Sequence, residues 1–224
     1  MIPEGNRVTP RASLLAALAA ILLVPSADAA AQRRPDDRGG LTSAFEQAAE
    51  SRRRERDLQR YDPIFRKYAK RYFGPGIDWR WFKAQSLAES DLNPNARSRV
   101  GARGLMQLMP STYRAIASRR PEMREIDDPE WNIAAGIMHD RYLWTLWKDG
   151  FTTEERFRFM FGSYNAGQGT IYRARDTARV ARLTGTRWQE IEQVAPKVGR
   201  WRYTETIGYV RKIEKNLGRL AVER

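Results

Sequence analysis

Between residues 61 and 220 of this chain, apolar side chains recur at the three- and four-residue spacing of helices, and strand-like alternation is nearly absent. That periodicity admits a bundle of helices and little else. Asp62-Pro63 reads as an N-cap followed by proline at the first helical position, with Ile64, Phe65, Tyr68 and Tyr72 on one face until Gly74-Pro75-Gly76. Asp78 is expected to cap a second helix over residues 79–90, with Trp81, Ala84 and Ala88 on one side. Further helices are expected from Ser111, over 130–148, after Thr153, and over 170–183, 187–194 and 204–220, with Gly167 and Gly169 as breakers. The exception is "DLNPNARSRVGARG", residues 91–104, a long turn-dense stretch that leads into "LMQLM". The expected fold class is therefore mostly α, or α+β at most, with a small irregular or β-like lobe inserted after the second helix.

The 224 residues suffice for one main domain with a substantial core. No cysteine is present, which excludes disulfide stapling, a thiolate metal site, a cysteine nucleophile and a lipid-modified N-terminal cysteine. His139 is the sole histidine and has no second ligand nearby in sequence, so a structural role is expected for it. No glycine-rich phosphate loop follows a strand-like run. Neither metal nor cofactor is expected. The formal net charge of +13 suits a polyanion, whether nucleic acid, acidic lipid or an anionic cell-wall polymer.

The N-terminus narrows that choice. Arg7 and Arg11 precede an apolar run of about a dozen residues that ends in Ala27-Asp28-Ala29, the layout of a secretory signal peptide over residues 1–29, with residue 31 as the alternative end. The run is short for a membrane span, which takes about 20 residues. Export to the periplasm or cell envelope is expected. Residues 30–60 are polar and arginine-rich and read as a basic linker or a solvated helix, with the main domain over 61–224.

Glu89 falls where the second helix should end. A carboxyl group that donates a proton near neutral pH needs a pKa above its ordinary value. The helix macrodipole disfavours negative charge at that end, and Leu87, Ala88 and Leu92 offer apolar surroundings, so both effects push in the required direction.

Four ordered motifs then carry a resemblance. They are Glu89-Ser90-Asp91-Leu92-Asn93-Pro94 with Ser98 and Gly101; Gly104-Leu105-Met106-Gln107-Leu108-Met109-Pro110; Ser163-Tyr164-Asn165-Ala166-Gly167; and Glu205-Thr206-Ile207-Gly208-Tyr209-Val210. Together with Asp128-Pro129, Asn132 and Gly136 they resemble the soluble lytic transglycosylase (SLT domain) family, whose catalytic domain is similar to goose-type lysozyme. The likeness covers roughly residues 61 to 218. It implies cleavage of the β-1,4 bond between N-acetylmuramic acid and N-acetylglucosamine in peptidoglycan without water, leaving a 1,6-anhydromuramic product.

By that resemblance Glu89 is the catalytic acid and base. Ser98, Gln107, Met109, Tyr164, Asn165, Glu205 and Tyr209 are then substrate-binding: Ser98 at the acetamido or C6 region, Gln107 near the cleavage point and Met109 in the groove. Tyr164 and Asn165 would position Glu89 or the muramyl unit, and Tyr209 with Glu205 would close the far wall. Ile207 stands where the family often has arginine, which takes away a charge partner for Glu205. Ser90 reads equally as a helix cap or a substrate contact, and Leu105 and Met106 as core. The expected partner is the peptidoglycan glycan strand, not nucleic acid, acted on by a monomer, with recruitment to an envelope-spanning machine left open. Two other readings remain: a hydrolytic muramidase using Asp91, Asp78 or Glu205 as second carboxylate, and a non-catalytic wall-binding protein.

Overall fold

The computed structural model of the chain describes residues 37–222. The signal-peptide expectation, residues 1–29, lies outside them. The chain divides into two compact units, Met1–Ser51 and Arg52–Arg224. Helix α1, Asp37–Gln59, runs through the division; within the first unit it is exposed over residues 46–51, as its polar sequence requires.

The second unit is built of α2 Asp62–Phe73, α3 Arg80–Ser90, α4 Pro110–Ala117, α5 Pro129–Leu146, α6 Thr153–Ala166, α7 Gln168–Val180, α8 Trp188–Val194 and α9 Tyr203–Val222, with a 3-10 turn at Ala195–Lys197. The helical expectation is met, with local corrections. Asp62 is not a cap; it sits inside the first turn of α2, where its carboxylate lies 2.7 Å from the buried Lys83 of α3, since a buried ammonium demands a counter-charge. Asp78 does accept the Arg80 N–H at 3.0 Å, two residues ahead of the formal start of α3. Thr152, rather than Thr153, caps α6 by accepting the Glu155 N–H. Of the two expected breakers only Gly167, at φ +80°, interrupts the chain; Gly169 lies within α7.

Helix α6 packs against α5, α7, α8 and α9, while α9 lies along α3 and α2 bridges α3 and α5. Aromatic rings fill the space between. Trp81 stacks on Phe157 at 4.5 Å, and Trp144 meets Phe157 at 4.7 Å. A second group joins Trp147, Phe151, Phe159 and Trp188. Gly162 is required here, because a Cβ would collide with the Trp188 ring.

The lobe, residues 91–109, opens with Asp91 and Leu92 both in the left-handed region, at φ 54° and 60°, which turns the chain sharply off the end of α3. Its β character is limited to isolated bridges pairing Arg97 with Arg103 and Arg103 with Leu108. What holds it is side-chain chemistry. Asn132 of α5 is buried; its Nδ2 donates to the carbonyls of Arg103 and Ile126, and its Oδ1 accepts the Met106 N–H at 2.8 Å. Ser86 and Ser90 of α3 both donate to the Leu105 carbonyl, at 2.9 and 2.8 Å. Gly104 combines φ +77° with contact against the Asn132 amide that leaves no room for a Cβ. Leu105 and Met106 are fully buried, as expected.

Candidate active site

Glu89 occupies the last turn of α3, half-buried between α9 and the lobe side of the helix. Three side chains on one face of α9, at helical spacing, grip that turn. The Tyr209 hydroxyl donates to Glu89 Oε1 at 2.6 Å, Lys212 Nζ donates to the Ala88 carbonyl at 2.7 Å, and Asn216 Nδ2 donates to the Ala84 carbonyl at 3.2 Å. Burial pushes the Glu89 carboxyl up to about 7, against the opposing pull of the Tyr209 hydrogen bond and the Lys212 charge. The direction is the expected one and desolvation dominates it. At this helix end the Lys212 ammonium answers the Ala88 carbonyl with a positive charge that works against the rise.

Tyr164 and Tyr209 are both raised well above the ordinary phenol range by burial and by the nearby Glu89 carboxyl. Each therefore remains a hydrogen-bond donor. Tyr164 spends its hydroxyl on the Met106 carbonyl at 2.7 Å, fastening the lobe to α6 beside the acid. Asn165 is exposed at the end of α6, and its Oδ1 accepts from Thr206 Oγ1 at 2.8 Å, which in turn accepts from Trp201 Nε1.

The lobe residues divide into holders and rim. Gln107, at φ 46°, donates both amide hydrogens inside the lobe, to the carbonyls of Ala96 and Gly104, so it shapes the loop and offers outward only an acceptor oxygen. Ser98 Oγ accepts the Ala102 N–H at 2.9 Å within its own turn. Met109 is 40 % exposed at the start of α4. The Ser90 hydroxyl donates to the Leu105 and Ser86 carbonyls and so ties the lobe to the end of α3. Glu205 is exposed and pairs with Arg202 at 3.0 Å, so its charge partner precedes it in the chain and the isoleucine at 207 takes nothing away.

None of the three acids considered as a second carboxylate is among the groups that act on the Glu89 carboxyl, which are Tyr209 and Lys212. Asp91 is exposed in the left-handed turn, Asp78 is bound to Arg80, and Glu205 to Arg202. The carboxyl that interacts electrostatically with Glu89 is Asp140 of α5, fully buried and bonded to Gln85. Neither Asp140 nor Gln85 carried a local signal in sequence. His139 beside it packs edge-on to Tyr164, and burial lowers its imidazole to about 4, keeping it neutral.

A helical domain with an irregular lobe rooted at the acid-bearing helix is the lysozyme-like all-α architecture. It is shared with the 70 kDa soluble lytic transglycosylase of Escherichia coli, at TM-score 0.50 and 26% identity over 70% of this chain and 23% of that one. A complex of the 70 kDa soluble lytic transglycosylase with bulgecin A matches at TM-score 0.54 and 25% identity, over 76% and 26% of the two chains. Residues 64–182 match the transglycosylase SLT domain model, and the chain belongs to that family. The membrane-bound lytic murein transglycosylase F of Shewanella pealeana is 31% identical over 168 residues, covering 75% of this chain and 32% of that protein. Its Vibrio cholerae counterpart is 31% identical over 172 residues, 76% and 30% of the two lengths. The chain thus spans about a third of the length of the curated relatives it matches. The matched domain includes Glu89 and the lobe but stops before Tyr209, which the fold brings onto Glu89 from 120 residues away.

Proposed function

We propose that the chain is an exported peptidoglycan lytic transglycosylase in which Glu89 alone serves as acid and then base. The observation that carries this reading is the Glu89 carboxyl itself, raised to about 7 by burial and receiving the Tyr209 hydroxyl at 2.6 Å. A group poised there holds a proton in a useful fraction of molecules and releases it readily. In the first step the Glu89 proton passes to the glycosidic oxygen, the bond from that oxygen to the muramyl anomeric carbon breaks, and the N-acetylglucosamine O4 leaves as a hydroxyl. The substrate's own N-acetyl carbonyl stabilises the anomeric centre, a substrate-assisted route. Glu89, now ionised and steadied by Tyr209, then accepts the proton of the muramyl C6 hydroxyl as O6 bonds to the anomeric carbon. The products are a 1,6-anhydromuramyl end and a restored Glu89 acid, with no water consumed.

A hydrolytic muramidase needs a second carboxylate to activate water. The one that neighbours Glu89 electrostatically, Asp140, is sealed from solvent, which favours the transglycosylase reading. Ser98, Gln107, Met109, Tyr164 and Asn165 are proposed to form the substrate-facing lobe and helix ends, with Glu205 and Tyr209 on α9. For Gln107 that contact uses its carbonyl oxygen. The glycan strand is the proposed substrate, and the basic surface favours an anionic wall. Export rests on the signal-like residues 1–29 and on relatives named as membrane-bound murein enzymes; among the described residues no helix is long and apolar enough to cross a membrane.

Mass spectrometry of purified peptidoglycan digested with the full chain tests the reaction. Anhydromuramyl ends are expected, and reducing muramyl ends in their place overturn the proposal in favour of the muramidase. Glu89→Gln is expected to lower turnover by roughly a thousandfold or more while glycan binding persists; retained turnover removes Glu89 from the mechanism.

A further inference from the structure

Asp140 is the one carboxyl residue among the described residues that is fully buried, and the proposed reaction makes no use of it. Its Oδ1 accepts from Gln85 Nε2 at 3.2 Å. Gln85 is equally sealed and stands one turn before Glu89 on α3, so this pair lies directly beneath the acid. Two oxygens of the pair are left over: Asp140 Oδ2 and Gln85 Oε1 are both buried and neither has a hydrogen-bond partner. Written as a carboxylate and an amide, the two side chains hold two orphan acceptors where buried acceptors are normally satisfied. A single proton answers both. Placed on Asp140 Oδ2 it supplies the missing donor, and Gln85 Oε1 is the missing acceptor of the same pair.

The surroundings supply no charge to prefer the carboxylate. Facing Asp140 are Gln85 and Glu89 from α3, Tyr164 from α6 and Tyr209 from α9. From α2, Lys67 and Tyr68 meet α5 at Glu130, and from α4 Tyr113 lies near Asp128, both in the first turns of α5. On α5 itself His139 is neutral and the Arg141 guanidinium lies over Phe73.

We propose that Asp140 is held as the neutral acid by Gln85, its proton bridging Oδ2 to Gln85 Oε1 while the amide nitrogen donates to Oδ1, so that the negative charge of this buried site falls on Glu89 alone. Two carboxyl groups in one desolvated site do not both ionise readily. If Asp140 took the charge, Glu89 would stay protonated and fail as the base of the second step. Gln85 and Asp140 are thus positioning residues that act through Glu89, and this role rests on the acid-base reading of Glu89. Burial raises the Asp140 carboxyl well above its ordinary range, in keeping with the neutral form.

Infrared difference spectroscopy of the full chain at about pH 8, where ordinary carboxyl groups are ionised, tests the protonation directly. The C=O stretch of a protonated carboxyl is expected in Glu89→Gln and is lost when Asp140→Asn is added; its absence from Glu89→Gln overturns the proposal. This arm reads no turnover, so it stands apart from the reaction assigned to Glu89. Activity profiles read the coupling. In Gln85→Glu the introduced carboxyl shares the Asp140 proton and adds a charge one turn from Glu89, moving the alkaline limb of turnover up by roughly a unit. In Asp140→Asn, which keeps a two-bond ring with no charge to lose, the limb stays within about half a unit; an acid shift of about a unit would show that Asp140 had been ionised, and sinks the idea.

Discussion

Glu89 and Glu130 each receive a hydrogen bond from a tyrosine hydroxyl, yet they end on opposite sides of the ordinary carboxylate range. Tyr68 donates to Glu130 at 2.9 Å and Tyr209 to Glu89 at 2.6 Å. Glu130 is pulled down by the hydrogen bond from Lys67 and then by Tyr68, while Glu89 is pushed up to about 7 by burial. Glu130 opens α5, at the helix end that favours anions, in contact with water and with an ammonium 2.7 Å from its own oxygen. Glu89 closes α3, and the nearest ammonium, Lys212, is bonded to the Ala88 carbonyl rather than to the carboxylate. A phenol alone does not set the state of an acid. Access to water and a counter-charge on the carboxylate itself decide it, and α3 and α9 are arranged to withhold both.

The largest test of that contrast is thermodynamic. Because the folded Glu89 pKa of about 7 lies above its ordinary 4.5, the folded chain holds an extra proton between those values. The associated stability is complete below about pH 4.5 and is lost as pH rises through 7. Glu89→Gln removes the loss. The variant is expected to be more stable than the parent by up to roughly 3 kcal/mol at about pH 8 and equal to it near pH 4, measured by denaturant unfolding. Equal stability at both pH values breaks the desolvation account.

Deleting the same group at both sites comes next. Tyr209→Phe removes a hydrogen bond that favours ionised Glu89, so the Glu89 pKa is expected to rise by roughly one unit and turnover at neutral pH to fall about tenfold. Tyr68→Phe leaves Lys67 in place and is expected to move Glu130 by less than about half a unit. NMR titration of the two carboxyl carbons checks both. Similar shifts at the two sites would erase the distinction between them.

The helical periodicity, the cap at Asp78, the disruption of the pattern after Ser90 and the placing of Glu89 in the last turn of a helix were legible because each is written within a few residues. The Tyr209 contact was not, since it joins residues 120 apart and nothing local in "ETIGYV" points at α3. Asn132 could be matched by resemblance, but its clamp on the Arg103 and Ile126 carbonyls and the Met106 N–H depends on the lobe folding back over α5. What the Ser90 and Gln107 side chains bind within the protein was not legible for one reason: the carbonyls they satisfy, of Leu105, Ala96 and Gly104, reach them only once the lobe has folded. Asp140 was invisible because a buried acid inside an apolar helix face looks the same in sequence as an exposed one.

The smallest expected effect completes the contrast at Glu130. Its lowered pKa means the opposite sign: stability is present above the ordinary carboxylate value and is lost as pH falls through the folded value. The pair with Lys67 is substantially exposed, 57% and 38% for the two side chains, so water screens it. Glu130→Gln is therefore expected to cost only about half a kcal/mol at neutral pH, and nothing once the carboxyl is protonated in the parent. Salt separates the two glutamates further. At about 1 M salt the Glu130→Gln deficit should shrink toward zero, because exposed charges are screened within a few ångströms. The stability gained by Glu89→Gln at about pH 8 should persist, because it comes from desolvation rather than from a screened pair. A Glu89→Gln gain that vanished in salt alongside the Glu130→Gln deficit would place both acids in the same surface electrostatics, and the site between α3 and α9 would lose its claim to a private proton.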